Sequence, residues 1–308
     1  MSGTTLRQLS RAALGARCAA GLSLQAGPFV LRIQGADPVL ADCLHAYYPN
    51  YPLAAEGSFA DAQLTLKPQA WVDRWRDRPR QICLEDGLAF TDFPLEALLA
   101  NLEWSFNWCV ATHANQYVML HAAGVAKQGH AVLMPGVPGA GKSTLSAYLI
   151  HRGWRLLSDE FTLVRNQALD LHAFPRLIPL KNDAIDVIQN AVPQAQFGPR
   201  IPGTRKGTVA HLRPGDEHIQ AMHEPARPRL VVFPTYERGS ATTLTAVPAA
   251  ECFTDLTQNC FNYALLGRQA FQMLGALTNH VEAFRMRYSE LASAEDTLST
   301  LLARVIEK

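Results

Sequence analysis

Hydrophobic and polar positions alternate through residues 27–87 in three short runs, "FVLRI", "AQLTLKP" and "RQICLED", with the two-residue period of half-buried strands. Between the first two lies the helix-like "PVLADCLHAYYP", so this stretch reads as a small α+β module. The period then changes. In "PLEALLANLEWSFNWCVATHA" the apolar residues Leu95, Leu98, Leu99, Leu102, Phe106 and Cys109 recur at helical spacing on one face. That predicts a core helix, with Trp104 and Trp108 as packing residues. "YVMLHAAGVA" and "HAVLMPG" flank the turn "KQG" and predict a β-hairpin whose second strand runs into a glycine-rich loop. "KSTLSAYLIHRG" leaves the loop as a helix stopped near Gly153, and Trp154–Ser158 follows as a strand. Farther along, "PRLVVFPTY" is an apolar strand run, "DLTQNCFNYALLGRQAFQMLGAL" is helical and "VEAFRMRYS" is strand-like. A closing helix is predicted from about Ala294, with Ser293 as its N-cap. Neither an internal repeat nor a low-complexity linker interrupts the pattern. The expected division is a small α+β unit over residues 1–92 and a larger α/β unit with C-terminal helices over residues 93–308.

The charge balance narrows the partners. Twenty-eight Lys and Arg against 27 Asp and Glu leave a formal charge of +1, so no global field draws the chain to nucleic acid or an anionic membrane. No apolar stretch approaches the ~20 residues that span a bilayer. Six cysteines without a CxxC pair fit reduced thiols, and a cytoplasmic protein is the expectation. The first acidic residue is Asp37, and Arg7, Arg11 and Arg17 lend the N-terminus a faint transit-peptide look. Arg17 breaks any apolar signal region, and an amphipathic or frayed helix is expected there instead. His113, His130, His151, His172, His218, His223 and His280 form no zinc-like spacing.

The chemistry concentrates in "MPGVPGAGKSTLSAYLIHRGWRLLSDEF", residues 134–161. Gly136, Gly141, Lys142 and Ser143 satisfy G-x-x-x-x-G-K-[ST], a loop whose inward N–H groups and following helix N-terminus cradle a polyphosphate. The nucleotide-binding candidates are therefore Gly136, Val137, Pro138, Gly139, Ala140, Gly141, Lys142, Ser143 and Thr144. Lys142 supplies a positive charge for the outer phosphates and Ser143 a hydroxyl for magnesium. ATP and Mg²⁺ are the expected ligands.

Residue counts place two carboxylates nearby. The helix Lys142–His151 descends ~15 Å at ~1.5 Å per residue, and the strand Trp154–Ser158 climbs ~16 Å at ~3.3 Å per residue. Asp159 thus returns to the level of Lys142, at the end of a strand expected in the same parallel sheet as the one entering the loop. A carboxylate there can bind magnesium or take the proton of an attacking hydroxyl. On the residues alone, Asp159 is either such a base or the magnesium-binding acid of a generic nucleotide hydrolase, with Glu160 merely solvating a turn. No Asn-Lys-x-Asp motif and no "LSGGQ"-like signature supports the hydrolases.

"LHAAGVAKQGHAVLMPGVPGAGKSTLSAYLIHRGWRLLSDE", residues 120–160, resembles the catalytic domain of bacterial HPr kinase/phosphorylase, in which histidine, phosphate loop, "RG-aromatic-RL" step and paired acids come in this order. With "LIPLKN", "KGTVAHLRP" and "CFNYALLG", the chain is similar to the group called HPr kinase-related kinase A. The resemblance implies an α/β, P-loop-containing core of HPr kinase/PEP carboxykinase type, with the small N-terminal α+β module and C-terminal helices attached. It implies that Lys142 and Ser143 hold phosphates and metal, that Asp159 is general base and metal ligand, that Glu160 replaces a second aspartate, and that His121 stands near the transferred phosphoryl. Thr144 departs from the glutamate usual in that family, and no clear copy of its later magnesium-binding glutamate segment is present.

The basic segment "FGPRIPGTRKGTVAHLRPGDEH" gathers Arg200, Arg205, Lys206, His211 and Arg213 among prolines and glycines, a pattern that fits either a mobile substrate clamp or a solvated loop. Arg205 and Lys206 are the substrate-binding candidates, with Lys181 a further one of the same kind. The expected activity is a kinase acting on a hydroxyl, with a serine of a protein or peptide as acceptor. A nucleotide-sensing regulatory module or a small-molecule kinase stands as the alternative. Homo-oligomerisation is left open.

Overall fold

The computed structural model describes residues 4–307 except 56, 69–79, 86, 88, 166–168 and 205. Ser10 caps the first helix, α1 (Arg11–Ala20), by accepting a bond from the Ala13 N–H at 3.2 Å, and Leu14 and Cys18 turn its apolar side inward. The chain then forms β1 (Leu22–Ala26), β2 (Phe29–Gln34), α2 (Pro38–Tyr47), β3 (Ala62–Pro68), β4 (Arg80–Leu84), β5 (Ala89–Phe93) and the long helix α3 (Leu98–His113). The five strands make one sheet in sequence order, parallel between β2 and β3 and antiparallel elsewhere. Leu98, Leu99, Leu102 and Phe106 of α3 fill the core beneath it together with Leu24, Leu31 and Leu64. Trp104 is half-buried, whereas Trp108, expected to pack, is 44% exposed.

The second part runs β6 (Tyr117–Lys127), β7 (His130–Pro135), α4 (Lys142–Leu149), β8 (Arg155–Ser158), β9 (Phe161–Arg165), β10 (Leu171–His172), β11 (Ile178–Lys181), α5 (Asp183–Ala191), β12 (Ile201–Thr204) and β13 (Gly207–Leu212). It continues through α6 (Asp216–Gln220), β14 (Arg227–Tyr236), β15 (Thr243–Ala246), α7 (Ala249–Gln258), α8 (Tyr263–Leu266), α9 (Arg268–His280), β16 (Glu282–Tyr288) and α10 (Leu291–Ile306). A central sheet has the order β10-β9-β6-β7-β14-β16-β15, with β8 also paired to β6, while β11, β13 and β12 form a separate antiparallel sheet. Buried on both faces, the central strands read as unbroken apolar runs. Val132 and Met134, like Leu230 and Val232, face the core made with α4, α5 and α10. Their neighbours Leu133, Val231 and Phe233 face the core made with α7 and α9.

The hairpin β6–β7 turns at Gln128 and Gly129, both with positive φ, as a two-residue connection of right-twisted strands demands. Two expectations are corrected. The closing helix begins at Leu291, flanked by Glu290, and the Ser293 hydroxyl instead bonds Thr242 Oγ1 at 2.8 Å. The strand after the phosphate loop, expected in one parallel sheet with β7, shares β7's sheet, but that sheet is mixed: β8 pairs antiparallel with β6, which lies between them. Both strands oppose β6 and so point the same way. The 11-residue β6 is long enough to hold β9 along its first half and β8 along its second. Among the described residues no helix is long and apolar enough to cross a membrane.

Candidate active site

The loop between β7 and α4 carries Val137, Pro138 and Gly139 at an exposed tip, with Gly136, Ala140 and Gly141 half-buried. Gly141 has φ +92°, and a Cβ there would sit 2.3 Å from the Tyr288 hydroxyl oxygen, which donates to the Gly141 carbonyl at 3.1 Å. Only glycine meets both demands. No side chain caps the first turn of α4, so its leading N–H groups stay available to an anion. The Lys142 ammonium donates to the carbonyls of Gly136 and of Val137, the latter at 3.2 Å. Burial lowers its pKa, against the pull of Asp159 and Glu160.

Asp159 follows β8 and is 7% exposed. The Ser146 hydroxyl, one turn along α4 from Ser143, donates to Asp159 Oδ1 at 2.6 Å, while Oδ2 is buried without a partner. Burial and the neighbouring Glu160 push this carboxyl up to about 6, although the hydrogen bond from Ser146, the nearby Ser143 hydroxyl and the charge of Lys142 oppose the rise. Ser143, Lys142 and Asp159 are thus one electrostatic unit. Among the described residues no three His, Cys, Asp or Glu side chains converge to hold a metal. A magnesium ion here would take Ser143 directly and Asp159 through a water molecule, and would complete its shell with phosphate and water oxygens, which is its habit. The residues fit that ion.

Glu160 lies on the other side of the turn, 3.7 Å from His121 Nε2. Strand register explains the approach: His121 of β6 faces Phe161 of β9. Burial lowers the His121 pKa, Lys142 lowers it further, Glu160 raises it, and Lys206 and Lys181 lower it again. Phe261 covers this corner, its ring 5.5 Å from His121 and 4.8 Å from Phe161. Asn262 pins that segment to β6 by accepting from the Met119 N–H at 3.1 Å and donating to the Tyr117 carbonyl at 2.8 Å. Sequence reasoning missed Ser146, Phe261 and Tyr288. Ser146 had a local signal, since it shares a helix face with Ser143, and Phe261 lies within "CFNYALLG".

The basic segment is mostly built structure. Arg200 pairs with Asp186 and Gln189 on the surface, and Arg213 with Asp216 at 3.0 Å. His211 is buried in β13, where burial, then Arg176 and Lys181, push its imidazole down to about 4. Arg205 lies outside the described residues. Lys206 and Lys181 line a recess beside Glu160 together with Glu103, Arg176 and His211. Of the expected clamp, then, Lys206 and His211 reach this recess and Arg200 and Arg213 do not.

No protein-family model matches the chain, and no curated protein matches it. The chain is similar to the Hpr(Ser) kinase/phosphatase from Coxiella burnetii, at 13% identity over 60% of this chain and 91% of that one, with a TM-score of 0.30. A likeness of that degree carries no conclusion about fold or activity. What the chain itself presents is a phosphate-type loop, a buried carboxylate beside it and a cationic recess next to both.

Proposed function

We propose that this protein is an ATP- and magnesium-dependent kinase that transfers a phosphoryl group to a hydroxyl, with a serine of a protein or peptide as the expected acceptor. The observation that carries the proposal is Asp159: a buried carboxylate, fixed through one oxygen by Ser146 and free at the other, beside the phosphate-type loop. Pushed up to about 6, it is ionised at neutral pH yet basic enough to accept a proton in a transition state. The loop N–H groups and Lys142 bind and orient the polyphosphate. Ser143, and Asp159 through a water molecule, would hold a magnesium ion, which would supply charge compensation on the phosphate oxygens. As the acceptor oxygen bonds to the γ-phosphorus and the bond to ADP breaks, Asp159 Oδ2 takes the hydroxyl proton. Glu160 and His121 flank the acceptor side.

The test is Asp159→Asn, which keeps the shape and the Ser146 contact but removes the base. Phosphotransfer, followed with γ-labelled ATP and mass spectrometry of acceptors that co-purify with the protein, should fall by roughly 10²-fold or more. ATP affinity by calorimetry should stay within about threefold, a change below 1 kcal/mol. Full transfer in the variant would remove Asp159 from the chemistry. A parent protein that binds ATP and never transfers phosphate would be a nucleotide-sensing module instead.

A further inference from the structure

The recess beside Glu160 is assembled from distant parts of the chain. Arg176, which precedes β11, is 6% exposed, with its guanidinium 4.8 Å from the Phe174 ring centroid and 5.7 Å from that of Phe106. Its Nη2 alone serves Glu103, at 3.0 Å, and Asn107. Nη1 is buried without a hydrogen-bond partner. His211 is 1% exposed, and neither of its ring nitrogens has a partner. Buried polar groups are as a rule hydrogen-bonded, so two unpartnered side chains lining one recess mark a place shaped for a ligand. Lys181, half-buried, and Lys206, exposed on the β12–β13 hairpin, complete the wall.

Charge selects the ligand. Among the described residues three cations, Arg176, Lys181 and Lys206, line the recess with two carboxylates, Glu103 and Glu160, which leaves one uncompensated positive charge. A dianionic phosphate would overfill that balance and meet Glu160 directly. A single carboxylate matches it, and suits a planar guanidinium nitrogen and an imidazole N–H at the floor of a narrow recess. We propose that this recess binds a carboxylate of the phosphoryl acceptor, and so presents the acceptor's hydroxyl to Asp159. The acceptor is then a hydroxy acid, either a free small molecule or a peptide chain ending in a hydroxyl residue. The word acceptor rests on the kinase proposal above; the carboxylate site does not.

The experiment is a titration of the full chain with ¹³C-acetate by NMR, with and without ATP, to about 50 mM, since a ligand of this size binds in the millimolar range at best. Methyl acetate is the uncharged control. Saturable acetate binding with no binding of the ester is expected. Lys206→Gln should weaken acetate about threefold, and Arg176→Lys at least tenfold. Should Arg176→Lys fail to fold, Lys206→Gln on its exposed hairpin decides. Equal binding of the ester, no saturable site, or acetate affinity unchanged in the folded variants overturns the proposal. Displacement by L-serine and by Gly-Gly-Ser then assigns the source, free hydroxy acid or peptide terminus, and displacement by Gly-Gly-Ser-amide as strong as by its acid also overturns it. An intact acetate site in a protein that never transfers phosphate would uphold the carboxylate site while refuting the kinase. Transfer without an acetate site would do the reverse.

Discussion

Replacing His211 by leucine should make the protein more resistant to acid relative to the parent. The imidazole is 1% exposed, unpartnered at both nitrogens and held down to about 4. In the unfolded chain a histidine titrates near ~6.5. Below that pH the unfolded state takes up a proton that the folded state refuses, so stability falls as pH falls through the window between these values. Linkage puts the loss at about 2 kcal/mol by pH 5 and about 3 kcal/mol by pH 4. Above about pH 7 it vanishes, because the residue is neutral in both states. Among the described residues the charged groups that line the recess with His211 are Arg176, Lys181 and Lys206 on one side of the balance and Glu103 and Glu160 on the other. Burial dominates over all of them. Asp159, pushed up to about 6, works in the opposite direction: the folded state binds its proton first, and its penalty fades as pH drops. It is present in both proteins, so the difference between parent and variant isolates His211. In a chain of this size ~1 kcal/mol moves Tm by roughly 2 °C. Thermal melts in MES and HEPES, which lack carboxylates, should therefore show the variant-minus-parent Tm growing by about 4 °C between pH 7.5 and pH 5. A difference that stays flat within about 1 °C would show that His211 reaches solvent or a partner, and the buried, unpartnered imidazole would be refuted.

Two further outcomes concern the loop. Lys142→Ala should weaken ATP binding at least about tenfold by calorimetry, near 1.4 kcal/mol, because it removes the cation that the loop supplies to the phosphates; unchanged affinity would count against the loop as the nucleotide site. Gly141→Ala should destabilise the fold by roughly 1–3 kcal/mol in thermal melts, through both its positive φ and the contact with Tyr288. Adding Tyr288→Phe should recover only part, since it removes the hydroxyl and leaves the backbone strain; full recovery would assign the whole cost to the contact.

The elements made by local rules were legible in the chain. Helical spacing identified α3 from Leu98, Leu99, Leu102 and Phe106, turn residues placed the β6–β7 hairpin, and rise per residue brought Asp159 level with Lys142. These depend on geometry within a few residues of each position, and the amino acids there encode it. Strand order does not work that way. A right-handed return from α4 satisfies its backbone equally well beside β7 or one strand farther, and the long edge of β6 decided for the second place by pairing with both β8 and β9. The recess is the extreme case. Glu103, Glu160, Arg176 and His211 come from a helix, a turn, a connecting segment and a strand in separate sheets, so no spacing links them. Each looks ordinary in its own window. Only packing removed Arg176 and His211 from water and left their nitrogens facing one another's neighbourhood, because burial is a property of the assembled cores and not of any stretch of the chain.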